Sequence, residues 1–286
     1  MSPIMAPVDF LADLPIYETE KPYWLYPLAG SDDKIMTNVV MEPKHVEIND
    51  ARKLAPQLEK NGFEIHRHKT RCSQFATVED IERYKQETAE LLRAVIPNVE
   101  HVVVYNATVL ISPLILGKTE NLEIDVEDPL LVNAPATAVH IDATPKSGPE
   151  IVMRHLDDAI IQQYTKPGFA FSVINTWRTL VPALEDCPLA LCDYQTIDFD
   201  DLITADRVYP HLVGEIFYAK FNPGQKWYWT PRQETDEIYV FVNYRAGNRP
   251  SASFCPHVSF QNPNCPSNAP ARQSIETRSV VVTRTS

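Results

Sequence analysis

Beyond Pro97 the chain is built from short β-branched or aromatic runs separated by Pro, Asn and Asp, and this punctuation constrains the fold more than any other feature. Candidate strands run over residues 101–112, 137–142, 170–177, 189–193, 214–221, 225–229, 237–244 and 274–283. With 24 prolines and only 8 glycines in 286 residues, rigid turns are favoured and long uninterrupted helices are not. The expectation is a mainly β fold, a sandwich or jelly-roll barrel with flanking N-terminal and inserted helices.

Three helices are expected around that core. Ile81, Tyr84, Thr88, Leu91, Leu92 and Val95 give an apolar stripe that predicts a helix over 78–95, with Thr77 as N-cap and Asp80 three residues on. A second is expected over 48–60, kinked at Pro56 and stopped at Asn61-Gly62. A third is expected over 150–164, capped by Ser147 and stopped at Pro167-Gly168. Residues 1–45, Pro-rich and aromatic, read as an extended arm; 46–97 read as a helical flank and 98–286 as the core of a single domain.

Composition narrows the function. The net charge of −12 argues against a broad surface for nucleic acid or anionic membrane, which needs clustered Lys and Arg. No run of 18 apolar residues is present, so no membrane-spanning helix is expected, and the N-terminal residues lack the pattern of a signal peptide. Five cysteines without a C-x-x-C pair argue against a disulfide framework or a structural zinc site, so a cytoplasmic location is expected.

Chemistry centres on His140-Ile141-Asp142. In an extended segment, residues two apart share a face, so His140 and Asp142 project together. A pair of this kind, joined by one distant His, forms the facial triad that holds non-haem Fe(II) with coordination positions open. Of the eight histidines, His211 and His257 are the candidates for that third corner. His257 is favoured because Arg272-Gln273-Ser274 follows it, and in a strand Arg272 and Ser274 make a charge-assisted fork for a carboxylate such as the far end of 2-oxoglutarate. Arg278, on the same strand face, is a reserve anchor. Glu276 between them is expected to pair with one of the two arginines. Arg178, following Asn175 and Trp177, reads either as a clamp for a substrate or cosubstrate carboxylate or as a structural cation paired with Asp193 or Glu237. Trp227, Tyr228 and Trp229 read as core.

In these segments the chain resembles the AsaB-type hydroxylase/desaturases, together with gibberellin-desaturase-like and cephalosporin 7α-methoxylase-subunit-related proteins of the Fe(II)/2-oxoglutarate oxygenase superfamily. The resemblance is carried by Val139-His140-Ile141-Asp142, Ile174-Asn175-Thr176-Trp177-Arg178, Cys187-Pro188-Leu189-Ala190-Leu191-Cys192-Asp193, Lys226-Trp227-Tyr228-Trp229, Pro256-His257-Val258-Ser259-Phe260 and Ala271-Arg272-Gln273-Ser274, in collinear order. It implies a double-stranded β-helix, Fe(II) at His140, Asp142 and His257, and 2-oxoglutarate anchored by Arg272 with Ser274. It also implies an O2-driven oxidation of a small molecule of specialised metabolism (hydroxylation, desaturation or cyclisation), with 2-oxoglutarate converted to succinate and CO2. The chain departs from its relatives at Asn106, where they carry an Arg nearby, and at Ala143, where they carry an aromatic. Both departures fall where the resemblance seats substrate, alongside Trp177 and Arg178. A homodimer is compatible with this reading. The rival readings are a non-catalytic jelly-roll accessory subunit and a cupin-type metalloenzyme that does not use 2-oxoglutarate.

Overall fold

Alternation of buried and exposed side chains resolves the β-rich region into two sheets; the computed structural model describes residues 2–27, 36–112, 130–246 and 251–285. One sheet holds β1 (Ile4–Leu11), β2 (Tyr23–Leu25), β3 (Met36–Thr37), β4 (Met41–Asp50), β8 (His140–Ile141), β10 (Leu189–Cys192), β11 (Leu202–Tyr209), β12 (Leu212–Ala219), β13 (Trp227–Trp229) and β15 (His257–Ser259). The other holds β5 (Phe63–Arg67), β6 (Val99–Ile111), β7 (Val132–Asn133), β9 (Phe169–Thr179), β14 (Glu237–Arg245) and β16 (Gln273–Arg284). Their orders are β1-β4-β13-β10-β15-β8-β12-β11-β2-β3 and β5-β14-β9-β16-β6-β7. Neighbours distant in sequence, such as β8 between β15 and β12, are what a jelly roll requires.

The sheets pack face to face, as sandwich sheets do. Leu189 and Leu191 from the first, with Cys255 just before β15, pack with Trp177, Tyr239 and Phe241 from the second. Alternate residues of β10 and β15, Ala190, Cys192 and Val258, point the other way into an apolar cluster with Ala6, Val8, Phe10 and Ile48. The N–H of Val139 donates to the carbonyl of Asp9 at 2.9 Å, which ties β1 back against the segment leading into β8. Residues 1–45 are thus not simply an arm over the body: β1 and β4 are full members of the larger sheet. Alternating Ala6, Val8 and Phe10 signalled this, and the prolines around them hid it.

Helix α3 (Val78–Val95) forms as the stripe predicts, with a complete Thr77/Asp80 capping box. It covers the outer face of the smaller sheet, burying Ile81 and Tyr84 against Ala107 and Ile275, and Leu92 against Val102 and Val240. Each such apolar burial is worth about 1.5–3 kcal/mol. The helix expected over 48–60 is replaced by the end of β4 and two short turns, α1 (Ala51–Leu54) and α2 (Leu58–Asn61). Burial of Val46 and Ile48 in the sheet core overrides their helical spacing, Asp50 caps α1, and Ala55, just before Pro56, takes φ +50°. The helix expected over 150–164 divides into α4 (Ser147–His155) and α5 (Asp158–Tyr164), because Leu156 between them is extended. Ser147 is the first residue of α4 rather than its cap. At Gly148 a Cβ would stand 2.3 Å from the Tyr244 ring, so glycine allows α4 to lie directly on β14.

Candidate metal and cosubstrate site

Strand register assembles the site before any side chain is considered. His140 of β8 pairs with His257 of β15 on one side and with Tyr218 of β12 on the other, so all three share one face. The ligand-capable atoms of His140, Asp142 and His257 lie within 4.8 Å of one another, facing the smaller sheet. His211 is elsewhere: it occupies the exposed turn between β11 and β12, a hairpin of which the sequence predicts only the second strand, over 214–221. The alternative third corner therefore falls away on geometry.

The protonation pattern suits metal binding. His140 donates its Nδ1–H to the carbonyl of Ala138 at 2.8 Å, and His257 donates its own to Cys255 at 3.0 Å. Fixing both Nδ1–H groups leaves both Nε2 lone pairs turned inward. Nε2 of His257 is buried with no hydrogen-bond partner among the described residues. Burial, the neighbouring His140 and other local charges push its pKa down to about 3, so the ring is neutral at physiological pH. An orphaned neutral imidazole beside a second imidazole and a carboxylate is a donor set that fits a divalent transition metal.

Asp142 is held from behind. Its Oδ2 accepts from Arg278 Nε at 2.8 Å, Asn175 Nδ2 at 3.0 Å and Asn243 Nδ2 at 3.4 Å, while Oδ1 stands 3.5 Å from Nε2 of His140. Although burial opposes the charge, Arg278 and the histidines keep this carboxyl well below the usual carboxylate range. Two bulges aim these supports. The register of β14 against β9 shifts between Val242 and Tyr244, which turns Asn243 inward; its Oδ1 also accepts from the Asp142 N–H at 3.1 Å. A second shift in β16 against β6 falls between Arg278 and Ser279, beside Asn106. Asn106 accepts from Arg278 Nη1 at 3.1 Å, so it steadies the arginine from the position where relatives were expected to carry an Arg nearby.

Just before β16, six residues from Arg278, Arg272 lies in a different environment. It is 1% exposed, donates from Nε to Ser274 Oγ at 2.9 Å and from Nη1 to the carbonyl of Cys187 at 2.8 Å, and also contacts Ser259 Oγ. Its guanidinium lies 5.1 Å from the centroid of the Trp177 ring. No carboxylate side chain accepts from this guanidinium among the described residues, and burial drives its pKa down to about 10. The backbone N–H of Arg272 is taken by Asp186 at 2.9 Å. Glu276, as expected, pairs with an arginine, Nη2 of Arg278 at 3.3 Å.

Arg178 belongs to the opposite face of β9. It donates to Tyr84 of α3 at 2.9 Å and to the carbonyl of His68 at 3.0 Å, so it pins α3 and the preceding loop rather than facing the metal cluster. The substrate role considered for it is corrected on alternation alone: Asn175 and Trp177 face inward, and Arg178 faces outward. Its partners are not Asp193 or Glu237 either; Glu237 is taken by Arg52 at 2.7 Å. Trp177 faces inward, with its Nε1–H buried and unpartnered among the described residues. Asn243 was missed in the sequence, although a lone amide between the run Ile238-Tyr239-Val240-Phe241-Val242 and Tyr244 was the available signal.

Two facing sheets with an inward His-Asp-His cluster and a buried arginine fork define the jelly-roll class of non-haem metal oxygenases. A family model described as an oxidoreductase/YMDC permease-like domain (YDMC) matches residues 9–282. The Fe(II)/2-oxoglutarate-dependent dioxygenase nvfI of Aspergillus novofumigatus (strain IBT 16806) is 30% identical over 269 residues, covering 90% of this chain and 89% of its own. The hydroxylase/desaturase efuI of Hormonema carpetanum is 28% identical over 261 residues, covering 86% and 85%. In three dimensions the chain superposes on the iron and alpha-ketoglutarate-dependent endoperoxidase NvfI with a TM-score of 0.82 at 24% identity, covering 100% of this chain and 99% of that one. The chain belongs to the Fe(II)/2-oxoglutarate-dependent dioxygenase family, and its fold is that family's jelly roll. Enzymes of this family use Fe(II), 2-oxoglutarate and O2. Despite the word permease in the family description, no helix among the described residues is long and apolar enough to cross a membrane.

Proposed function

We propose that His140, Asp142 and His257 hold Fe(II), that Arg272 with Ser274 anchors the distal carboxylate of 2-oxoglutarate, and that the enzyme oxidises a small molecule of specialised metabolism. The observation that carries this reading is the orphaned Nε2 of His257, buried beside His140 and Asp142 with its other nitrogen already committed. Bound Fe(II) supplies the activation of O2 that couples decarboxylation of 2-oxoglutarate to oxidation of the substrate.

The chain's own residues position and shield. Ala138 and Cys255 carbonyls fix the two imidazole tautomers, and Arg278, Asn175 and Asn243 fix Asp142 so that Oδ1 faces the cluster. Ser274 and the Cys187 carbonyl orient the Arg272 guanidinium over Trp177, whose free indole N–H fits an acceptor on the cosubstrate better than one on the substrate. Arg278, committed to Asp142 and Glu276, is a positioning residue rather than a second anchor. The fork at Arg272 separates this reading from a cupin that does not use 2-oxoglutarate. Hydroxylation, desaturation and oxidative cyclisation are all open to such a site. The five free cysteines, three of them buried, support a reducing cytoplasm.

Anaerobic titration of Fe(II) and 2-oxoglutarate tests the reading through the weak visible charge-transfer band of the chelate. The band is expected in the wild type, absent in His257→Ala and unaffected in His211→Ala. Its absence from the folded wild-type protein sinks the proposal.

A further inference from the structure

On the side of the iron cluster away from Arg272, the β11–β12 hairpin carries a second cation that no part of the site accounts for. Arg207 pairs with Gly214 across the hairpin, and Ile203 pairs with Tyr218, the neighbour of His140. Alternation therefore puts Arg207 on the same sheet face as Tyr218 and His140. The neighbouring carboxylates cannot balance its charge, because Asp206 and Glu215 point to the other face, where Lys21 engages both. Arg207 makes no hydrogen bond or ion pair among the described residues, and its Nε is fully shielded without an acceptor.

A second orphan stands beside it. In the parallel pairing of β2 with β11, Trp24 is directly opposite Arg207, and its indole Nε1–H is also buried and unpartnered among the described residues. Two adjacent buried donors without acceptors are costly to leave empty, since each forfeits its hydrogen bonds to water. Tyr26 and Tyr209 stack in parallel at 4.6 Å alongside, and with Tyr218 they lie within electrostatic reach of the Arg207 guanidinium, as Asp142 does more weakly. His140 stands level with Tyr218 and Ile203, so Arg207 lies four residues further along β11 on the same face.

We propose that Arg207 and Trp24 form an anion-recognition pair that docks a carboxylate of the organic substrate, with the tyrosines flanking its unsaturated or apolar body. The pair rests on the oxygenase reading only for the word substrate; the orphaned donors exist regardless. Arg272, against Ser259 of β15 and the Cys187 carbonyl, and Arg207 on β11 bracket the His140–His257 pair, so one site offers two separated carboxylate receptors. One suits the cosubstrate and the other the molecule to be oxidised.

Calorimetric titration of the full-length protein with naphthoate, and with its neutral amide naphthamide, tests the pair. The wild type is expected to prefer the acid by about ten-fold or more, the value of a hydrogen bond to a charged group. The preference is expected to vanish in Arg207→Gln, to shrink in Trp24→Phe and Arg207→Lys, and to survive in Arg272→Gln. Equal affinity for acid and amide in the wild type overturns the proposal. So does a preference that survives Arg207→Gln and disappears in Arg272→Gln, which would put the acid in the cosubstrate anchor. If thermal melting shows Arg207→Gln unfolded, an undiminished preference in both Trp24→Phe and Arg207→Lys overturns it instead. Failure of the Fe(II)/2-oxoglutarate band with the acid preference intact defeats the oxygenase reading and leaves the anion pair standing.

Discussion

Arg272, just before β16, and Arg278 within it lie six residues apart, yet their surroundings are opposite. Arg278 is flanked by two carboxylates, at 2.8 Å from Asp142 and 3.3 Å from Glu276, and their attraction raises its pKa although burial opposes its charge. Arg272 is held by hydroxyls, a carbonyl and an aromatic face, and burial lowers its pKa to about 10. A buried cation surrounded by neutral acceptors is an expensive arrangement, and it becomes favourable when an anion arrives. A cation that already has its carboxylates is a structural part. Taken with the inward face that Arg272 shares with the His140–Asp142–His257 cluster, the contrast fits Arg272 as the proposed receptor and Arg278 as a support.

The largest expected effect breaks the receptor. Arg272→Met should weaken 2-oxoglutarate binding by about a hundred-fold or more, because it removes a desolvated, charge-assisted contact. The same substitution should change the stability of the ligand-free protein little, because losing a buried charge whose pKa burial already lowers offsets the acceptors it strands at Ser274, Ser259 and Cys187. Binding is read by calorimetry and stability by thermal melting. A large loss of stability would mean that Arg272 is structural too.

Arg278→Met should show the reverse ordering. It strands Asp142 and Glu276 against each other, at a cost of about 3 kcal/mol for a partly buried network, read from urea midpoints. It should weaken Fe(II) binding by about 10–100-fold, the usual consequence of removing a ligand's supporting partner. Affinity of the Fe(II)-loaded variant for 2-oxoglutarate should fall much less than in Arg272→Met. Equal losses in the two variants would erase the distinction between them.

How much of this was legible depends on whether a role was local or set by pairing. His140-x-Asp142 and Arg272-x-Ser274 are local alternations, and the sequence placed both on single faces that the structure retains. The stripe of α3 and its cap were equally local. The choice between His211 and His257 was not, because only the pairing of β15 with β8 brings one of them to the cluster. Arg178 and Trp177 could not be sorted without knowing which face of β9 looks inward. Asn243 owes its role to a bulge, and Arg207 to a strand, β11, that the sequence reading left out. The N-terminal strands were obscured because Pro7 and Pro43 sit opposite His45 and Asp9 in the β1–β4 ladder, where proline is uncommon.

Acidification offers a milder test, on the metal-free protein. Burial lowers the pKa of His257 to about 3, and it also lowers those of His68, His101 and His155. A histidine whose folded pKa is depressed takes up a proton in the unfolded chain first. Stability is therefore greatest above the unfolded value, roughly 6.5, and falls as pH drops toward the folded values. Each such histidine contributes a slope of about 1.4 kcal/mol per pH unit within its window. Urea midpoints at successive pH values below neutrality should fall accordingly. Fe(II) under anaerobic conditions should oppose the part of the fall that comes from His257, because on the proposed reading it occupies that neutral imidazole. A flat profile in the metal-free protein would contradict the neutral His257 on which the metal reading depends.

Arg178 supplies the smallest expected effect on the site and the cleanest control for the contrast. It is as buried as Arg272, at 1% exposure for each, and lies on the adjacent strand, paired through Ile275. Burial and chain position alone would make the two equivalent. Their faces differ: Arg178 spends its donors on Tyr84 and His68 beneath α3. Arg178→Met should cost about 1–3 kcal/mol of stability, from acceptors left without a donor. It should change 2-oxoglutarate affinity by no more than about two-fold, within the range of well-separated sites. A large loss of cosubstrate affinity in a folded Arg178→Met protein would show that the outer face communicates with the anchor through β9, and Arg272 would then no longer stand as the sole receptor on that side of the iron.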